Sequence, residues 1–165
     1  MKEWTQDKKW SDRFLPEIKR IIGEHLIAEP PVEEDSDRNT DLMVLRLDAI
    51  RIACRIRNNK YLADFGDEFT IRSGRPSGVK TELTKIIEGW GNYFFYGFSD
   101  ENDEKLSKWI LCDLNAFRVY LFRNLVKNKG EFPGVAKENI DNSSSFKSFK
   151  YREIPGFVIA SSFLI

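Results

Sequence analysis

Ala49-Ile-Arg-Ile-Ala-Cys-Arg-Ile-Arg57 alternates small or aliphatic side chains with arginines. Ile50, Ile52, Cys54 and Ile56 fall on one side of an extended chain, and Arg51, Ala53, Arg55 and Arg57 on the other, the period of two that marks a strand. One face suits a core; the other is basic. Just before it, Asp41-Leu-Met-Val-Leu-Arg-Leu-Asp48 is too short and too uniformly apolar for a surface helix, and reads as a largely buried strand. After the turn-prone Asn58-Asn59, Glu68-Phe-Thr-Ile-Arg72 alternates again, with Phe69 and Ile71 inward and Thr70 and Arg72 outward. Hairpin pairing of this third strand would bring Arg72 beside the other arginines.

Helices flank these strands. Phe14, Leu15, Ile18, Ile21, Ile22 and Leu26 recur at three- and four-residue intervals, predicting a helix that starts near Ser11 or Asp12 and ends before Pro30 and Pro31. Pro16 fits only its opening turn. Ser77 is a plausible cap for a helix bearing Val79, Leu83, Ile86, Ile87 and Trp90, ended by Gly89 and Gly91. Tyr93-Phe-Phe-Tyr-Gly-Phe98 then reads as a buried strand and Lys108 to Cys112 as its neighbour. Asp113 is placed to cap a last helix with Leu114, Phe117, Leu121 and Leu125 on one side. Residues 127–165 carry a weaker pattern, with an Asn-Ser-Ser-Ser loop at 142–145 and an apolar run from Phe157 to Ile165.

The chain of 165 residues suits one α/β domain, and 13 Phe and 4 Trp supply ample material for its core. The start, Met1 to Trp10, is charged, and no apolar run reaches the roughly 18 residues of a membrane span, so a cytoplasmic protein without a membrane partner is expected. Cys54 and Cys112 lie far apart among aliphatic residues and read as buried, reduced thiols. His25 is the single histidine, which excludes a His-rich metal site and any histidine-assisted nucleophile that does not use it. Basic and acidic residues balance at 26 each, yet they segregate: Arg51 to Lys85 has eight cations and four acids, whereas the loop at 29–39 is strongly acidic. Glycines 74, 78, 89, 91 and 97 form no phosphate loop. Trp90, Tyr93, Phe94, Phe95, Tyr96 and Phe98 are spaced as core rather than as a base-stacking platform.

The order of helix, three strands, helix and strand over about Ser11 to Asp100, with Thr40-Asp41-Leu42 at the first strand, resembles the core of the PD-(D/E)XK nuclease superfamily, which includes restriction enzymes and archaeal Holliday-junction resolvases. The resemblance implies a restriction-endonuclease-like mixed sheet flanked by helices. It also implies that an Asp near a strand start and an acid-x-Lys on the following strand hold magnesium and activate water. Asp41 matches the first acid. On the next strand Ala53 stands where the acid belongs and Arg55 where the lysine belongs, and a permanently protonated guanidinium does not replace that lysine. Active members sometimes carry the second carboxylate on the neighbouring helix, where Glu82 in Lys80-Thr-Glu-Leu-Thr-Lys85 is the candidate, followed by Glu24, Asp48 and Glu68. The implied catalytic set is therefore Asp41, Glu82 and Arg55, with magnesium on Asp41 and Glu82. The residues leave a second account open, in which Glu82 is an ion-paired helix residue.

Arg51, Arg55, Arg57 and Arg72 need counter-charges. These come from acids such as Glu17, Glu24 or Glu82, or from a nucleic acid, whose phosphates suit the guanidinium fork. The leading expectation is a nuclease-like protein that binds DNA, with or without magnesium-dependent cleavage. The rival is an inactive interaction protein that meets a protein partner through the acidic stretch Glu33 to Asp37 or the apolar C-terminal run. Small size and balanced charge also resemble accessory proteins of prophages and other mobile elements.

Overall fold

In a computed structural model of the chain, residues 2–28, 43–44, 50–139 and 143–163 are described. Two helices lead, α1 (Lys2–Asp12) and α2 (Leu15–Leu26), followed by the short antiparallel pair β1 (Ile27–Ala28) and β2 (Met43–Val44). The rest of the anticipated strand at 41–48, with Asp41 and Asp48, lies outside the described residues. Pro16 sits in the first turn of α2, where its missing N–H costs nothing. Next come β3 (Ile52–Arg57), one 3-10 turn at Asn59–Tyr61, the single-turn helix α3 (Leu62–Phe65) and β4 (Glu68–Gly74). Helix α4 (Glu82–Ile87) leads into β5 (Tyr93–Ser99), β6 (Leu106–Asp113) and helix α5 (Leu114–Lys127). Asp113 caps α5 by accepting the Asn115 N–H at 2.6 Å, as its position in the sequence predicts.

The fold is mixed α/β. A four-stranded mixed sheet has the order β3-β5-β6-β9, with β9 at Val158–Ser161. Its β3 runs parallel to β5, and the other pairs are antiparallel. A second, antiparallel sheet has the order β4-β8-β7, with β7 at Val135–Glu138 and β8 at Ser145–Lys150. One expectation is corrected: the third strand, β4, pairs with β8 rather than with β3. Among the described residues the stretch at 127–165, where the sequence pattern is weaker, holds β7, β8 and β9.

Alternation along β5 and β6 gives the first sheet two apolar faces. On one, Phe95 and Leu111 meet Phe14, Ile18 and Ile21 at and along α2, together with Ile56. On the other, Phe94, Tyr96, Phe98, Ile110 and Cys112 meet the second sheet, α4 and α5. Phe69 is the centre of that layer: the rings of Phe94, Tyr96, Phe117, Phe149 and Phe157 lie 4.7–6.4 Å from its own. Burying each such ring stabilises by about 1.5–3 kcal/mol, with further gain from edge-on ring contacts. The register then places the arginines: Arg55 stands opposite Tyr96 and Arg57 opposite Phe98, so both project from the aromatic face of the sheet. The basic residues of β3 therefore border the interior between the two sheets.

Helix α4 begins later than the composition suggests. Thr81, not Ser77, is the cap, its hydroxyl accepting the Thr84 N–H at 3.3 Å. Gly78 has φ of 68° and closes a turn on the Arg75 carbonyl, which leaves Val79 exposed ahead of the helix. At the far end Gly91 has φ of 82°, and an added Cβ would lie 2.9 Å from Leu114 Cδ1. The chain turns there under Arg118 of α5, which donates to the carbonyls of Ile86, Trp90 and Gly91.

Candidate functional site

Glu82 opens α4, and both its carboxylate oxygens accept from Arg55 Nη2 at 2.5 Å. Glu82 Oε2 also accepts the backbone N–H of Arg72 at 3.0 Å, and Arg55 Nη1 donates to the Thr70 carbonyl at 2.9 Å. One half-buried ion pair thus ties β3, β4 and α4 together, with side-chain exposures of 21% for Arg55 and 39% for Glu82. Charged hydrogen bonds in such a setting contribute about 1.5–3 kcal/mol each when both partners are present. A cation placed on Glu82 would have to compete with a guanidinium already there. The weaker acid candidates are also engaged: Glu24 with Arg20, and Glu68 with Lys137 at 3.0 Å. Glu17 accepts the backbone N–H of Leu106 at 3.0 Å instead of meeting an arginine. Among the described residues no group of three or more His, Cys, Asp and Glu could hold a metal ion.

The remaining cations are differently placed. Arg57 lays its guanidinium over the ring of Tyr61, 4.4 Å from the centroid, with Phe65 at 5.6 Å, and has no carboxylate partner among the described residues. The Arg72 side chain likewise has no ion pair there. Burial, and then the charges of Arg75 and Arg55, lower its pKa from the ordinary arginine value, with Glu82 opposing. That position carries positive potential which an incoming anion would relieve. Arg51 stands apart, exposed, with its backbone N–H on Asn92 Oδ1 at 2.9 Å.

Arg55, Arg57 and Arg72 line one groove of about 510 Å3 that runs along β3. Lys8, Trp10 and Ser11 of α1, with Asn58, Tyr61, Thr70, Asn139, Ser144 and Phe146, also belong to its described lining. Among the described residues no carboxylate lines this space. Lys8 is partly compensated by Asp12 at 2.6 Å, whereas Arg57 and Arg72 make no ion pair among the described residues. Hairpin pairing does not bring Arg72 to the other arginines; the packing of the second sheet against the edge of the first does.

Cys54 lines the groove and is exposed, contrary to the expectation of burial, and desolvation of the thiol on its inner side pushes its pKa up to about 11. Cys112 is fully buried as expected. Phe94, Phe95, Tyr96 and Phe98 are core, while Trp90 is exposed.

The groove walls are fixed from behind by Asp103, at φ of 57° in the turn between β5 and β6. Its carboxylate accepts from Ser99 Oγ at 2.5 Å and from Asn58 Nδ2 at 3.1 Å, and also from the Trp10 indole. The Ser99 hydrogen bond first, then Trp10, the Arg13 charge and Asn58, hold this carboxyl below the usual carboxylate range. One acid thereby positions Trp10 and Asn58 together.

Comparison with protein-family models, with curated proteins and with solved structures finds no match. Among the described residues no helix is long and apolar enough to cross a membrane.

Proposed function

We propose that this chain binds nucleic acid through the groove along β3, with Arg57 and Arg72 engaging phosphate. The observation that carries this reading is the pair of guanidinium groups that make no ion pair among the described residues, in a groove whose described lining contains no carboxylate. A guanidinium held at a fixed angle over Tyr61 keeps its N–H donors for a phosphate while losing little side-chain entropy on binding.

The same proposal reads the chain as a divergent restriction-endonuclease-like core, supported by the placing of α2 before the strands, of α4 between β4 and β5, and of Glu82 against β3; β4, paired in the second sheet, departs from that core. In that core Asp41 and Glu82 would share magnesium. Ala53 and Arg55 on β3, together with the engagement of both Glu82 oxygens, favour binding over cleavage.

Fluorescence anisotropy with a labelled oligonucleotide at several salt concentrations tests the reading. Each phosphate contact contributes about −0.7 to −0.9 to the log-log slope, so Arg57→Ala should flatten the slope by about that amount. A wild-type slope near zero would overturn it. Magnesium-dependent cleavage lost in Asp41→Ala would establish the catalytic extension, and cleavage unchanged in that variant would remove Asp41 from it. The rival reading, a protein partner, draws support from Val119, Phe122 and Val126, which stand exposed on one face of α5. On the leading reading Val126→Asp leaves nucleic-acid affinity unchanged.

A further inference from the structure

We infer that the groove takes unstacked bases of a single strand and discriminates against a duplex, an inference that rests on the nucleic-acid reading above. Shape is the first reason. A hollow of about 510 Å3 has the dimensions of a small-molecule site, whereas an intact duplex presents a convex backbone with its bases turned inward. Phosphates of a duplex would touch the rim and leave the hollow empty.

Composition of the walls is the second reason. Three aromatic residues from separate elements meet there: Trp10 of α1, Tyr61 of the 3-10 turn and Phe146 of β8. Tyr61 packs against the Phe69 cluster and Trp10 against the layer of Phe14 and Phe95, but all three are only partly buried, so each keeps ring surface in the groove. Holding Arg57 for phosphate needs the Tyr61 ring alone, while an unstacked base gains from lying on any of the three. Arg57 over Tyr61 extends that surface with a guanidinium plane and holds positive charge at its margin, where the phosphates of the inserted nucleotides would lie. Arg72 supplies a second cation from β4, and Asn58 lines the same groove.

The experiment uses the full chain and a fluorescein-labelled 12-mer, alone or annealed to its complement, with anisotropy read at fixed moderate salt. The single strand should bind at least about tenfold more tightly than the duplex. Tyr61→Ala should weaken single-strand binding about 5- to 150-fold, the range for loss of one stacked base, while Tyr61→Phe retains most of it. A thermal melt of each variant separates loss of stacking from loss of folding. Equal affinity for both forms, with Tyr61→Ala matching wild type, would overturn this inference and leave the phosphate reading standing. Absence of binding to either form, even at low salt, would overturn both.

Discussion

Arg55 and Arg57 stand two residues apart on one face of one strand, yet they end in opposite circumstances. Arg55 is held by both oxygens of Glu82 and by Thr70, and joins three elements. Arg57 meets two aromatic rings and no acid among the described residues. The first is spent on holding the fold; the second, on the proposed reading, engages a ligand. A strand pattern that projects like charges in register cannot distinguish them, because the difference arises from where α4 and the second sheet come to rest.

The sharpest way to break this contrast is Glu82→Ala. It removes the partner of a half-buried guanidinium and the acceptor of the Arg72 N–H, and should cost about 2–4 kcal/mol in a denaturant titration. If Glu82 were instead poised for a ligand, the loss would be small. Acid should act next. The Asp103 carboxyl is held low in the folded chain, so its contribution is complete above the ordinary aspartate value near pH 4 and is lost as pH falls through its lower folded value. Stability should therefore drop on acidification in this window, and Asp103→Asn should flatten that part of the profile. Arg57→Ala should cost about 0.5–1 kcal/mol of stability, from its ring contacts, while weakening oligonucleotide binding about tenfold, the reverse of Glu82→Ala. Arg51→Ala, outside the groove, should have the smallest effect on both readouts, and an effect as large as that of Arg57→Ala would redraw the interface.

Much of the framework was legible because the signals were local. The period of two in Ile52 to Arg57, the aromatic run of β5 and the Asp113 cap each lie within a few residues and point to elements that form. The partner of β4 was not legible. Phe69 and Ile71 announce a strand, but their neighbour β8 comes more than 70 residues later in a polar stretch, and only tertiary packing selects it. At the site the cations could be read from the chain, whereas Trp10, Tyr61 and Phe146 come from three distant segments and carry no shared spacing. Glu82 could be singled out as important, and its ion-paired arrangement was one of the two accounts the residues allowed.

The layer around Phe69 also sets an order of events in synthesis. Phe149, Tyr151, Ile154 and Phe157 fill the space between the two sheets, and Phe69 contacts the rings of Phe149 at 5.4 Å and Phe157 at 4.7 Å. At ordinary translation rates the roughly 90 residues that separate Phe69 from Phe157 take about 4–18 s to emerge. Throughout that interval β4 lacks its pairing strand and the aromatic face of β5 lacks its cover, so the nascent chain presents unpaired edges and bare rings to its surroundings. Synthesis, while β4 waits for β8, is then a stage at which this uncovered surface can meet chaperones.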